Sequence, residues 1–233
     1  MNDAVVVFTR LDSSRLPGKA LLPIAGKLLI DRVISRSLKT PGSPSVVVAT
    51  SDRPTDDPIV DHLESQGVPV FRGAAQDVAG RALACAEACG LERFVRISGD
   101  SPFIASDVIA ACLTQSREGG ADLVTNVFPR GYPVGVSVEA ITTAAMRRIV
   151  DEIEDPEDRE HVTRYAYRES GRFCIENLAP PDGRYAGVSL AVDTPRDHQR
   201  ACWIFETHGD DPDLDTAVAA AREWETRERE KKQ

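Results

Sequence analysis

Ala4-Val-Val-Val-Phe-Thr9 runs directly into Arg10-Leu-Asp-Ser-Ser-Arg15-Leu-Pro-Gly-Lys19. The first six residues are apolar or β-branched and read as a buried strand. The ten that follow pack three cations, two serines and a glycine into a loop at that strand's carboxyl end. In such a loop, backbone N–H groups and cationic side chains can converge on a polyphosphate, Arg through forked hydrogen bonds and Lys as a point charge. The glycine spacing is that of neither a Walker A loop nor the dinucleotide fingerprint. A solvated basic turn is the plainer reading of the same residues.

Downstream the pattern of strand and helix repeats. Val46 to Thr50, Val68 to Arg72, Phe94 to Ser98 and Leu123 to Asn126 are further short runs of buried-strand character. Between them, Leu28 to Lys39, Ile59 to Gln66, Asp77 to Cys89 and Ser106 to Glu118 space apolar residues by three and four, as core-facing helices do. The alternation predicts an α/β fold of three layers, α/β/α, around a mostly parallel central sheet that binds ligands at the carboxyl ends of its strands. After Asn126 the regularity weakens. Val134 to Ala140, Phe173 to Leu178 and Val188 to Val192 read as strands, and Thr142 to Glu152 and Arg159 to Glu169 as helices. Thr194 to His208 and Leu214 to Arg229 read as closing helices, the last running into a charged tail, Glu228 to Lys232, expected to be frayed and solvated. No repeat, linker or composition break divides the chain, so residues 1–233 read as one domain in three stretches, 1–126, 127–200 and 201–233.

Lys plus Arg number 28 against 37 Asp plus Glu, a formal net charge of −9. That balance opposes a nucleic-acid partner, yet leaves room for a small anion held by locally concentrated cations. Five cysteines, Cys85, Cys89, Cys112, Cys174 and Cys202, are scattered and mostly sit in helical, apolar surroundings, which reads as reduced, buried thiols. Met1 to Arg10 carries no leader pattern and no stretch has the length of a membrane span, so the expected location is the cytoplasm.

The run Arg10-x-x-Ser13-Ser14-Arg15-Leu16-Pro17-Gly18-Lys19 resembles the signature loop of the cytidylyltransferases that activate 3-deoxy-manno-octulosonate and acylneuraminate sugars, and especially their spore-coat polysaccharide branch. The likeness continues in order through Val48-Ala49-Thr50-Ser51, Phe71-Arg72-Gly73 with Asp77 and Arg81, Arg96-Ile-Ser-Gly-Asp100-Ser-Pro102, Asn126, Gly135-Val-Ser-Val-Glu139, Arg159-Glu160-His161-Val162-Thr163 and Val192-Asp193-Thr194-Pro195. The resemblance implies a nucleotide-diphospho-sugar transferase-like fold. It implies transfer of CMP from CTP to a sugar acid or sugar-like acceptor with release of pyrophosphate, dependent on Mg²⁺, in polysaccharide biosynthesis. The 1–126 stretch would then bind nucleotide and 127–200 the acceptor, with a homodimer formed through the acceptor half. One residue departs from the pattern: Asp12 stands where that loop usually carries a small residue, and a carboxylate there repels phosphate unless it points away or meets the metal.

Asp100, just past a strand and between Gly99 and Pro102, suits Mg²⁺, which takes one or two carboxylates, though it also suits a turn. Asp193 follows another strand and equally suits a helix N-cap. The resemblance makes this pair the metal ligands. Arg10, Arg15, Lys19 and Asp100 are the catalytic candidates, with Ser13, Ser14, Gly18, Arg72, Asp77, Arg81 and Arg96 as further nucleotide contacts. Asp77 can instead cap its helix, with Arg81 as an i+4 partner. On the acceptor side stand Asn126, Glu139, Arg159 and His161; Glu139 can equally close an ion pair, and Arg159 and His161 can belong to a solvated helix start. His62, His198 and His208 lack ligand spacing. Two other functions fit the residues less closely: a nucleotide-sugar-dependent glycosyltransferase, and a silent nucleotide-binding module.

Overall fold

The computed structural model describes residues 2–42, 44–180 and 182–231. Met1 of the leading segment and Lys232 of the charged tail lie outside them. Every residue of strand β1 (Asp3–Phe8) is buried. Val5 and Val7 face one apolar layer, and Ala4, Val6 and Phe8 the other. Side chains of an extended chain alternate between faces, so a strand covered on both sides needs an unbroken apolar run. After the loop comes a hairpin of β2 (Pro23–Ile24) and β3 (Lys27–Leu28), turned by Ala25 and Gly26, both at positive φ.

The remaining strands are β4 (Ser45–Ser51), β5 (Val70–Gly73), β6 (Arg93–Ser98), β7 (Leu123–Thr125), β8 (Glu139–Thr142) and β9 (Ile175–Asn177). They join β1 in a seven-stranded sheet, ordered β5-β4-β1-β6-β8-β7-β9. Only β8 runs against its neighbours, so the sheet is mostly parallel. One face is covered by α1 (Leu29–Leu38), α2 (Asp57–Ser65) and α4 (Ser106–Glu118) with the closing pair α8 (Pro195–His208) and α9 (Leu214–Glu230). The other is covered by α3 (Val78–Ala88), α5 (Thr143–Glu152) and the short α7 (Arg164–Arg168). The fold is three-layered α/β/α. Fully buried side chains such as Phe94, Ile97, Leu113 and Ile109 each contribute about 1.5–3 kcal/mol of hydrophobic stabilisation.

The second half departs from its sequence reading at four places. Val134 to Ala140 is not one strand: Gly135 turns at φ +89, Val136 N–H donates to Pro133 C=O at 3.1 Å, and the ladder begins only at Glu139. Val188 to Val192 forms no ladder; one bridge joins Ser189 to Val134. The expected Arg159 to Glu169 helix is split into α6 (Pro156–Glu160) and α7 by Val162 at φ +49, a conformation that interrupts the i→i+4 ladder. The charged tail stays helical through Glu230, and Lys231 pairs with Glu228 at 2.7 Å. All five cysteines are free; burial pushes the Cys85 and Cys112 thiols up to about 12, whereas Cys174, expected buried, is exposed beside β9. No helix of the described residues is long and apolar enough to cross a membrane.

Candidate active site

The carboxyl ends of β1 and β6 lie side by side because Gly99 N–H donates to Phe8 C=O at 2.8 Å. Gly99 permits this approach: a Cβ there would lie 2.6 Å from Thr9 Cβ. Thus the loop after β1 and Asp100 after β6 share one end of the sheet. The segment carrying Asp193 is sewn on by Val192 N–H, which donates to the Asp100 carbonyl at 2.9 Å. Thr194, not Asp193, caps α8, through a capping box with Asp197. Asp193 therefore has its carboxylate free for the cleft, and the helix-cap role weighed for it falls to its neighbour.

The loop after β1 is closed by Gly18 N–H donating to Leu11 C=O at 2.9 Å, with Gly18 at φ +70. It is anchored by Asp56, a wholly buried carboxylate that accepts from Leu11 N–H at 2.8 Å and from the Ser51 hydroxyl. Ser13 Oγ accepts from Leu16 N–H at 3.4 Å. The loop opens onto a cleft of about 420 Å³ whose wall includes Arg10, Ser13, Ser14, Arg15, Lys19, Arg81, Asp100, Glu160, His161 and Asp193. Lys19 Nζ lies 2.8 Å from Asp100 Oδ2 and 2.8 Å from Asp193 Oδ1, and Arg15 Nη2 is 3.1 Å from the same Asp193 oxygen. Burial works against the Lys19 charge, but the two carboxylates outweigh it and hold its pKa above the ordinary lysine value. It is an ammonium throughout the neutral range.

Asp12 also lines this cleft, yet it is paired with Arg53 and lies 3.5 Å from Arg10. Partial burial favours its neutral form; the Arg53 hydrogen bond and the two cations win, keeping the carboxyl below its ordinary pKa. Arg10 donates to Ala75 C=O at 2.7 Å and Arg81 to Ala74 C=O at 2.6 Å, so the 74–75 turn draws both guanidinium groups to one wall. Burial, aided by Arg10, lowers the Arg81 pKa to about 10, leaving it charged near neutrality.

Other expected contacts lie elsewhere. Arg72 does not line the cleft; it donates to the Ser51 and Arg53 carbonyls and pairs with Asp57 at 2.7 Å. Asp77 caps α3 by accepting from Gly80 N–H, and its ion-pair partner is Arg159 at 3.1 Å rather than Arg81. Arg159 is thereby turned to a separate hollow beside α6. Asn126 is fully buried and spent on backbone: its amide donates to Val136 C=O at 2.7 Å and accepts from Val138 N–H at 2.9 Å. Glu139, 2% exposed, accepts from Thr163, Tyr167 and Arg96. Burial raises its pKa, but Arg96 and the two hydroxyls overcome this and set it below the ordinary glutamate value. Of the two roles open to Glu139, the structure takes the ion pair, and it takes Arg96 with it. His161 alone of the four acceptor candidates lines the cleft.

Arg53 and Asp56 carry no signal in the sequence, and Glu160 stands in the matching run Arg159 to Thr163 without being singled out as a site residue. Arg53 and Asp56 lie two and five positions after the Val48 to Ser51 match, but nothing local ties them to a loop more than 40 positions earlier.

A family profile described as cytidylyltransferase matches residues 4–200. The chain is 28% identical to the spore coat polysaccharide biosynthesis protein SpsF of Bacillus subtilis (strain 168) over 222 residues, covering 92% of this chain and 91% of that one. Its fold is similar to that of a cytidylyltransferase from Leptospira borgpetersenii serovar Hardjo-bovis (strain JB197), with TM-score 0.88, 24% identity and coverage of 97% and 96%. It is also similar to a CMP:2-keto-3-deoxy-manno-octonic acid synthetase complexed with CTP, with TM-score 0.71, 18% identity and coverage of 88% and 99%. The chain belongs to the cytidylyltransferase family.

Proposed function

We propose that this cytidylyltransferase moves CMP from CTP to a sugar acid or sugar-like acceptor, releasing pyrophosphate, with Mg²⁺ held by Asp100 and Asp193. The observation that carries this reading is the meeting of Lys19 with both aspartates, 2.8 Å from each, at the floor of the phosphate-loop cleft. Among the described residues no group of three or more His, Cys, Asp or Glu side chains could hold a metal. Two carboxylates suffice for Mg²⁺, which fills its octahedron with water and phosphate oxygens. The cleft's charges support the same ion. Arg10, Arg15, Lys19 and Arg81 face Asp12, Asp100, Glu160 and Asp193, four cations against four anions. A triphosphate entering so balanced a site needs added positive charge.

Arg10, Arg15 and Lys19 bind the β- and γ-phosphates and stabilise the charge that builds there as the α–β bond breaks. Ser13, Ser14 and the Gly18 turn shape the loop around them. His161 at the open edge of the cleft contacts the acceptor. When bound, Mg²⁺ would neutralise charge at the α-phosphate and polarise the acceptor hydroxyl. The polysaccharide role in the name of the Bacillus relative, and the CTP and sugar acid named for the synthetase of similar fold, support the choice of substrates.

The test is incubation with Mg²⁺ and each nucleoside triphosphate over a panel of sugar acids and sugar phosphates. Pyrophosphate should appear with CTP and an acidic sugar, and Asp100→Ala should abolish it while leaving the fold intact. A nucleoside diphosphate product would instead mark a glycosyltransferase. Triphosphate binding without turnover would mark a silent module.

A further inference from the structure

Lys19 has an arrangement that its loop neighbours lack. Its ammonium sits between Asp100 Oδ2 and Asp193 Oδ1, 2.8 Å from each, with only 14% of its side chain exposed. Arg15 reaches Asp193 alone, and its side chain is 64% exposed. Among the described residues, Asp100 has no ion-pair partner other than Lys19. Two facing carboxylates without a cation between them repel, so this ammonium is what allows the pair to stay charged and close. A divalent ion seeking the same two oxygens cannot simply join the arrangement; it must displace Lys19.

Resting on the reading of Asp100 and Asp193 as the metal carboxylates, we infer that Lys19 is a built-in counter-ion that closes the metal position of the free protein until a triphosphate draws it away. The side chain is suited to such a transfer. Its charge is compact and rides on a flexible four-carbon stem, and its backbone starts a 3-10 turn (Lys19–Leu21) straight after the left-handed Gly18. The loop that would receive the phosphates is the one that carries Lys19, so one movement both hands the ammonium to the triphosphate and uncovers the aspartates. The consequence is linkage: metal and triphosphate each favour the binding of the other, because both favour the same position of Lys19. Free metal alone meets an occupied site, and its apparent dissociation constant rises by the inverse of the open fraction.

The experiment counts free Mn²⁺ by electron paramagnetic resonance, without activity as a readout, for wild type, Lys19→Met, Lys19→Arg, Asp100→Asn and Asp193→Asn. In the absence of CTP, Lys19→Met should bind Mn²⁺ about tenfold or more tighter than wild type, as expected if no more than about a tenth of the wild-type sites are open. Lys19→Arg, which keeps a cation, should stay near wild type, and saturating CTP should tighten Mn²⁺ binding far more in wild type than in Lys19→Met. If Lys19→Met loses its native circular dichroism, Lys19→Gln is measured in its place. Equal or weaker Mn²⁺ binding by the uncharged variant, with binding still weakened by Asp193→Asn, overturns the counter-ion role and spares the metal assignment. Mn²⁺ binding in the presence of CTP that is indifferent to both aspartate substitutions removes the metal assignment, and the counter-ion role falls with it.

Discussion

Asp12 places a carboxylate in the wall of the cleft proposed to take the triphosphate, and Arg53 answers it from 41 positions away. Removing only the guanidinium leaves that negative charge uncompensated beside the incoming triphosphate. Arg53→Ala should therefore raise the KM for CTP by about two- to fivefold, a modest effect because both side chains are about one-third exposed and solvent screens the pair. The double variant Asp12→Ala/Arg53→Ala should recover most of the loss. Steady-state kinetics over the four-member cycle checks this, and strictly additive effects would show that the pair is not coupled. The same two residues mark the limit of what single positions disclose in a sequence. Arg10, Arg15 and Lys19 were legible because the loop itself concentrates them. Arg53 was not, since its meaning lies in a contact across the sheet. For the same reason Asn126 and Glu139 looked like binding residues and are instead tied into the protein, one to backbone and the other to Arg96, Thr163 and Tyr167.

The elements of the first half were legible because each β-branched run and each three-and-four spacing is a local signal; the sequence reading of α4 agrees with Ser106–Glu118 at both ends. From Leu123 onward the strands shrink to three or four residues, and pairing across the sheet decides where they start. The break at Val162 has no local cue. Gly135 shows how such tertiary constraints reach the site. It turns at φ +89, and a Cβ would lie 2.7 Å from the Leu190 carbonyl carbon and closer still to Ala191 N. Gly135→Ala must therefore push the segment that leads into Asp193, in a backbone conformation that alanine disfavours. The expected cost is about 1–3 kcal/mol, and at about 2–4 °C per kcal/mol for a chain of this size Tm should fall by several degrees. Because Asp193 shifts with that segment, kcat should fall as well. Scanning calorimetry together with turnover checks the pair, and an unchanged Tm with unchanged kcat would refute it.

Across the whole molecule, a chain of net charge −9 assembles a cleft in which four cations and four anions stand face to face. The sheet makes that possible: β1 and β6 deliver the loop and Asp100 to its carboxyl end, and the Val192 to Asp100 hydrogen bond brings in Asp193 from 93 residues further along the chain. In the proposed function these charges surround one triphosphate, with the metal on the two aspartates. A crystal structure of the protein grown with CTP and Mn²⁺, with the metal located by anomalous scattering, tests it most directly. The expected result is an anomalous peak touching both Asp100 and Asp193, with the triphosphate lying along Arg10 to Lys19 and Lys19 moved onto its oxygens. A peak away from either aspartate, or a nucleotide outside this cleft, would contradict it.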